Sequence, residues 1–149
     1  MEQAVELFLN GVRFRKLFEK ELTDVRKKYD LCKIDVQILQ YLRNAGECNT
    51  SKHIVDIGLF TKGHVSQSLN RLYKKNIIDM VHDEHDRRCV HILMRDTAMQ
   101  VAQDVEEVHR RISQIVFDGF TEEELYNFSA LANKVNNNIS KEFNGSRES

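Results

Sequence analysis

The sequence contains 149 residues, of which 41% are hydrophobic and 30% are charged, a composition typical of one ordinary globular domain. A formal net charge of -1 excludes a uniformly basic nucleic-acid binder, and no apolar run approaches the roughly 20 residues that cross a bilayer. The N-terminus carries Glu2 and Glu6 where a secretory signal would carry basic residues, so we expect a cytoplasmic protein. Proline is absent, which favours a chain rich in helix.

The average charge conceals a basic segment between residues 52 and 75. Five basic residues fall there against the acid Asp56, a local charge of +4 that leaves -5 elsewhere. The five are Lys52, Lys62, Arg71, Lys74 and Lys75. A positive patch on an otherwise acidic body is what phosphate binding requires, so this segment is the first candidate for a nucleic-acid contact.

Cys32, Cys48 and Cys89 are odd in number, widely spaced and free of any CxxC pair, so neither a disulfide framework nor a zinc ribbon is indicated. Cys32 lies beside the predicted start of a helix, where the helix dipole favours the reactive thiolate, and Lys33 would add to this effect. Cys32 is therefore a candidate redox residue, and an inert thiol is the alternative.

Apolar residues at helical spacing predict a first helix over residues 4–29, and its second apolar stripe predicts burial against a partner subunit. A break near Asp30 precedes a second helix, and this helix ends at residues 44–46. Thr50 or Ser51 can cap a short third helix, which is followed by a close turn at Gly58.

Thr61 is the predicted N-cap of a fourth helix, whose apolar side is Val65, Leu69 and Leu72, and Asn76 suits the left-handed end of that helix. Two β-rich runs at residues 77–82 and 89–94 flank the polar connector 83–88 and predict a hairpin. A long helix from Arg95 to near residue 119 and a last helix from a capping box at residues 121–124 complete the chain.

This order of elements predicts a mainly α fold with a small β-hairpin wing, a winged helix-turn-helix plus a helical dimerisation layer. We predict a single domain over residues 1–149. The winged lobe occupies residues 48–94, and the dimerisation helices occupy residues 1–30 and 95–143. Pairing those helices in a homodimer would place two winged lobes on the two halves of a palindromic site in double-stranded DNA.

In a helix-turn-helix, the exposed N-terminal half of the second helix faces the major groove. The candidate DNA-binding residues there are Thr61, Lys62, His64, Ser66, Gln67, Asn70 and Arg71. The two amides can pair with adenine, the Lys and Arg suit phosphate or guanine, and the hydroxyls, with that of Ser68, suit phosphate oxygens. The alternative for each residue is an ordinary solvated helix face.

The connector reads DEHDRR. Arg87 and Arg88 at a hairpin tip can place one guanidinium in the minor groove while Asp86 orients the other, and a solvated turn is the alternative. The hairpin also carries ligand types that zinc prefers: His82, His85, Cys89 and His91. Because neighbouring strand residues alternate faces, these four side chains cannot easily converge on one ion, and we expect no metal site. We expect no other cofactor either.

The chain resembles the multiple antibiotic resistance regulator (MarR) family of winged-helix repressors. Asp86 and Arg88 match the Asp-x-Arg that ends the family's acidic wing, residues 54–72 lie over its helix-turn-helix without a gap, and TEEEL resembles the start of its last helix. The resemblance runs from residue 5 to about residue 143. It departs at Asn76, where the family has glycine, and at residues 94–95, where Met-Arg replaces Leu-Thr.

This resemblance implies a homodimeric DNA-binding regulator, a repressor, with the helix from Thr61 in the major groove and Arg87 or Arg88 in the minor groove. Family members respond to small aromatic or amphipathic effectors or to thiol oxidation, so release by an effector is also implied. The polar groups near apolar faces, interpreted as structural rather than ligand contacts, are Arg15, Tyr41, His53 and His109.

The sequence leaves three alternatives to a repressor that is released by an effector. A thiol-based redox regulator of the same fold is one, and a winged-helix module that contacts only proteins is another. The basic segment and the paired wing arginines oppose the second. An enzyme has no positive support, because the sequence lacks a Gly-rich phosphate loop, a nucleophile elbow and a His-Glu-x-x-His motif.

Overall fold

A computed structural model describes residues 11–145, which form two compact units, one ending at Ile112 and the other beginning at Ser113. Over these residues the chain forms six helices and one antiparallel hairpin, which confirms the predicted fold class. The helices are α1 (Val12–Tyr29), α2 (Lys33–Arg43), α3 (Ser51–Asp56), α4 (Lys62–Lys74), α5 (Asp96–Val116) and α6 (Glu122–Gly145), and the strands are β1 (Ile78–His82) and β2 (Val90–Met94). None of the described helices is long and apolar enough to span a membrane.

Side-chain oxygens begin three helices at the threonines that the sequence indicated. Thr50 accepts the N–H of His53 at 3.3 Å, and Thr61 accepts the N–H of His64 at 3.2 Å. Before α6, the Thr121 N–H donates to the Glu124 carboxylate at 2.8 Å, while the Glu124 N–H donates to the Thr121 hydroxyl at 3.2 Å. These bonds pair backbone groups that a helix start leaves open, so the predicted caps and the capping box are confirmed.

Two helices end on a non-glycine residue in the left-handed conformation. Asp30 ends α1 with φ 52°, and Asn76 follows α4 with φ 57°. At the second end, the Ile77 N–H donates to the Leu72 carbonyl and the Asn76 N–H to the Tyr73 carbonyl, both at 3.0 Å. This pair of bonds satisfies the last carbonyls of α4. The start of the first predicted helix, at residue 4, lies outside the described residues.

The core of the winged lobe lies where α2 and α3 pack against α4 and the hairpin. Side chains from every one of these elements are fully buried there: Ile38, Leu39, Ile54, Val65, Leu72, Ile78 and Ile92. The predicted apolar side of α4 is therefore the buried side. Because one side of α4 is buried, its polar side faces solvent.

A third segment of backbone pairs with the two strands of the hairpin, and the sequence did not predict it. β1 and β2 pair in antiparallel register from Ile78 opposite Met94 to His82 opposite Val90. The residues just before α3 continue this sheet, because Thr50 bridges His91 and the Ile92 N–H donates to the Asn49 carbonyl at 2.9 Å. The wing is thus bonded to the start of the helix-turn-helix.

The left-handed residue after α4 gives a test of the fold. We expect Asn76→Ala to lower the free energy of unfolding by about 1 kcal/mol, because alanine tolerates a positive φ poorly. Asn76→Gly should leave it unchanged or slightly raised, and the exposed helical control Lys74→Ala should change it by less than about 0.5 kcal/mol. Urea unfolding of the three variants measures this, and equal stability of the Ala and Gly variants would contradict it.

Candidate nucleic-acid interface

Helix α4 presents a polar face to solvent at its N-terminal half. The exposed residues on this face are Thr61, Lys62, His64, Ser66, Gln67 and Asn70, all of which the sequence analysis singled out. Their exposure follows from the packing of Val65, Leu69 and Leu72, which are buried on the other side. The face carries amide, hydroxyl and ammonium groups, the types that bind base edges and phosphates.

Ser68 and Arg71 turn from this face toward α2. Ser68 is fully buried and donates to Oδ1 of Asp35 at 2.5 Å, so the prediction that Ser68 contacts phosphate is wrong. Arg71 Nη2 donates to the same Oδ1 at 2.8 Å, and 37% of its side chain is exposed. Arg71 is therefore held against the protein, with part of its guanidinium still open to solvent.

Asp35 is the centre of this cluster. It is fully buried, yet its carboxylate accepts hydrogen bonds from the Cys32 N–H at 2.9 Å, from Ser68 and from Arg71. These bonds offset the cost of removing the charge from water. The bond that Arg71 donates also raises the pKa of its guanidinium above the ordinary value.

Asp35 was not among the predicted functional residues, although two signals in the sequence mark it. Asp35 stands three residues after Cys32, the N-cap residue of α2, which is the spacing of a capping box. It also shares a helix face with Ile38, Leu39 and Leu42, so an acid lies on an apolar stripe. An acid in that position requires a buried partner, and the chain supplies Arg71.

The wing loop, residues 83–88, is folded around Asp83. Its Oδ1 accepts the N–H groups of His85 at 2.8 Å and Asp86 at 2.9 Å, and these bonds lower the pKa of Asp83 to about 2. Oδ1 of Asp86 accepts the Arg88 N–H at 2.9 Å, so Asp86 supports Arg88 through the main chain, and the prediction that Asp86 orients an arginine guanidinium is wrong. The side chains of Arg87 and Arg88 are exposed and form no ion pair with any residue from 11 to 145.

A cleft of about 520 Å³ separates α4 from the start of α3 and the wing. It brings Ser66 and Asn70 of α4 together with Asp86 and Arg88 of the wing. The rest of its lining is Thr50, Ser51, Lys52, His53, Leu69, Met80, Cys89 and Val90. Predicted residues from two separate parts of the chain thus face one depression, whereas Thr61, Lys62 and His64 lie outside its lining.

The basic segment carries less free charge than its composition indicates. Arg71 is paired with Asp35, and Lys75 Nζ lies 2.5 Å from Asp30 Oδ2. Lys52, Lys62 and Lys74 form no ion pair within the described part of the chain. Free cations of the segment and of the wing therefore supply the positive charge of this surface.

Three of the four polar groups interpreted as structural have contacts of that kind, and the fourth, Arg15, is exposed. Tyr41 donates to the Cys48 carbonyl at 2.8 Å, His53 Nδ1 lies 2.8 Å from the Thr50 hydroxyl, and His109 stacks on Phe18. Cys32 is a free, exposed cysteine at the start of α2, as predicted. Among residues 11–145, no three His, Cys, Asp or Glu side chains are grouped to hold a metal ion.

The winged lobe matches a family of transcriptional regulators. The family model described as "Transcriptional regulator SarA/Rot" matches residues 20–105, more than half of the chain. This range contains α2, α3, α4 and both strands, and therefore the whole surface described above. No curated protein matches the sequence.

Solved structures share the fold at low identity. A MarR family protein from Bacillus stearothermophilus has a TM-score of 0.74 at 17% identity, over 94% of this chain and 98% of that one. Staphylococcus aureus MepR in complex with DNA has a TM-score of 0.64 at 17% identity, over 88% and 98%. A Listeria monocytogenes protein assigned to the MarR family, complexed with a 26mer DNA, has a TM-score of 0.71 at 20% identity, over 89% and 87%. The fold implied by the MarR resemblance is confirmed.

The buried ion pair gives a second test. We expect Asp35→Ala to lower the free energy of unfolding by about 1–3 kcal/mol, because it leaves the buried Ser68 hydroxyl and part of the Arg71 guanidinium without their acceptor. The control is Asp79→Ala, which removes an even closer pair with Arg95, at 2.5 Å, whose side chains are both about two-fifths exposed. Since solvent screens such a pair, the control should lose far less stability. Equal losses in urea unfolding would show that the buried carboxylate does not hold α4.

Proposed function

Because this chain belongs to the SarA/Rot family of transcriptional regulators, we propose that it binds duplex DNA as a homodimer, with one winged helix-turn-helix in each subunit. The observation that carries the proposal is the exposed polar face of α4 beside a wing whose two arginines have no acidic partner among the described residues. The MepR and Listeria structures, both DNA complexes of this fold, support it. Such a regulator acts in the cytoplasm of a bacterium.

In the proposed complex, α4 enters the major groove. A helix is about 10–12 Å wide and fits a groove about 12 Å wide. Gln67 and Asn70 are exposed amides that can read adenine, and Lys62 at the helix start can bind phosphate or guanine. Arg71 keeps only part of its guanidinium free, so its main role is to position α4 through Asp35.

The wing supplies the second contact. Arg87 and Arg88 lie at the tip of the hairpin with exposed side chains, so one guanidinium can enter a narrow minor groove while the other meets the backbone. Asp86 supports this by bonding the Arg88 N–H. Arg88 and Asn70 line the same cleft, so the proposed minor-groove and major-groove contacts lie on one surface.

Helix α6 supports the homodimer. Large apolar side chains on one face of it are exposed, with 64% of Leu131 and half of Phe128 and Ile139 accessible. Contiguous apolar surface of this kind marks an interaction site, and a second copy of the same helix would cover it symmetrically. We assign dimerisation to residues 1–30 and 95–143, as the sequence analysis predicted, although residues 1–10 lie outside the described part.

The regulatory outcome that we propose is repression, with release by a small aromatic or amphipathic effector that changes the spacing of the two α4 helices. A thiol switch at Cys32 is a second candidate, and one observation favours it. The Cys32 N–H bonds the carboxylate that holds Arg71, so oxidation of this exposed thiol would occur beside the contact that positions α4.

DNA binding can be tested by titrating the protein onto fragments upstream of its own gene and onto competitor DNA at several salt concentrations. We expect tight binding that weakens steeply with salt, because phosphate contacts release counterions. Arg88→Ala should weaken binding and leave the dimer intact. Arg43→Ala, which removes a positive charge from the end of α2, outside both the proposed DNA surface and the proposed dimer helices, is the control and should bind like the wild type. If the Arg88 variant bound DNA with normal affinity, the proposed contact between the wing and DNA would be wrong.

The dimer interface can be tested on α6. Leu131→Glu puts a charge in the middle of the exposed apolar face, so we expect a shift from dimer to monomer in analytical ultracentrifugation. Asn137→Glu adds the same charge at an exposed polar position of the same helix and serves as the control. A Leu131 variant that remains dimeric would place the interface elsewhere.

A further inference from the structure

Gly63 is a glycine inside a helix, in the first turn of α4. The glycines at positions 46, 58 and 119 have a positive φ, a conformation that favours glycine, but Gly63 does not. Glycine inside a helix is less favourable than alanine, because it loses more backbone freedom on folding. The backbone conformation of α4 therefore gives no reason for glycine at this position.

Packing within the protein gives no reason either. A methyl group on the Cα of Gly63 would lie more than 4 Å from every heavy atom beyond its chain neighbours and the backbone of its own helix. Gly63 is exposed, whereas the buried side of α4 carries Val65, Leu69 and Leu72. Among residues 11–145, no contact requires the side chain at position 63 to be absent.

Gly63 begins the row of residues that faces DNA in the proposed complex. Residues three, four and seven positions apart lie on one side of a helix, so the row continues through Ser66, Gln67 and Asn70. All four residues are exposed, and the row contains both amides that can read adenine. The N-terminal residues of a recognition helix are those that contact base edges. The position without a side chain is thus at the end of α4 that contacts the bases.

The neighbours of Gly63 leave a notch in the exposed surface of α4. Lys62 and His64 are both exposed, and each lies about 100° around the helix axis from Gly63, one on either side. Lys62 forms no ion pair within the described part of the chain, so its charge is free to attract phosphate. Duplex DNA can therefore contact the backbone at the notch while its phosphates meet the ammonium group beside it.

We propose that Gly63 is a close-contact position for DNA, an inference that rests on the proposed function. Without a side chain at position 63, the first turn of α4 comes within van der Waals distance of the duplex, and Gln67 and Asn70 reach base edges. A side chain there would hold the row further from the groove. A hydrogen bond needs its heavy atoms about 3 Å apart, so a displacement of about 1 Å breaks the amide contacts. Glycine at this position therefore lowers the stability of the free protein and raises its affinity for DNA.

The test on the free protein is urea unfolding of Gly63→Ala and Gly63→Leu. Alanine and leucine favour a helix, and the new side chain enters open solvent, so the unfolding midpoint of both variants should equal or exceed that of the wild type. Ala130→Leu is the matched control. It adds bulk at an exposed position of α6, about 200° around the helix from Phe128 and thus opposite the proposed dimer face. A lower midpoint in Gly63→Ala would show that the fold itself requires glycine, and this would overturn the proposal.

The test on DNA uses a duplex that the wild-type protein selects from a random-sequence pool. We expect Gly63→Ala to bind this duplex about tenfold more weakly than the wild type, and Gly63→Leu more weakly still, the effect of overpacking a close contact. Ala130→Leu should bind like the wild type. If the wild type binds and Gly63→Ala binds equally well, the close contact is wrong and the proposed function stands. If no duplex binds the wild type, the proposed function fails and the close contact fails with it.

Discussion

A buried carboxylate on α2 sets the orientation of α4, and the proposed DNA-binding surface depends on it. Asp35 accepts hydrogen bonds from Ser68 and Arg71 on one side of α4, so the side that carries Gln67 and Asn70 faces solvent. Apolar packing alone would tolerate a small rotation of the helix about its axis. Directional hydrogen bonds to a fully buried charge do not, because each bond lost removes one of the donors that offset the cost of burying that charge.

The wing is held by an independent set of polar contacts. His91 and Asn49 connect it to the segment before α3, and Asp83 orders the loop between its strands. The two walls of the cleft are thus fixed separately, one by Asp35 and the other by His91. A surface ordered before binding loses little conformational entropy when DNA docks, so more of the contact energy is available for affinity.

Local signals made most of the fold predictable. Thr50, Thr61 and Thr121 cap the helices that follow them, and Asn76 ends α4, because these interactions lie within a few residues of the chain. The exposed face of α4 was predictable for the same reason, since helical period alone separates Val65 from its polar neighbours. The wing hairpin followed from two short β-rich runs around a charged turn.

Contacts between distant segments were not predictable in the same way. Asp35 and Arg71 are far apart in sequence, and nothing in their local patterns pairs them, although an acid on an apolar stripe signals that some partner exists. The same holds for the bridge between Thr50 and His91. As a result, the sequence overstated the free positive charge of the segment between residues 52 and 75.

The two departures from the MarR pattern are in contact with each other. Asn76 supplies the left-handed conformation for which the family uses glycine, and its side-chain oxygen lies 3.4 Å from Arg95 Nη1. Arg95 stands where the family has a capping threonine, yet its guanidinium binds both carboxylate oxygens of Asp79, and its N–H donates to the Ile77 carbonyl. The arginine therefore ties the start of α5 to β1 and to the end of α4. Because α5 is one of the proposed dimerisation helices, this junction connects them to the DNA-binding lobe.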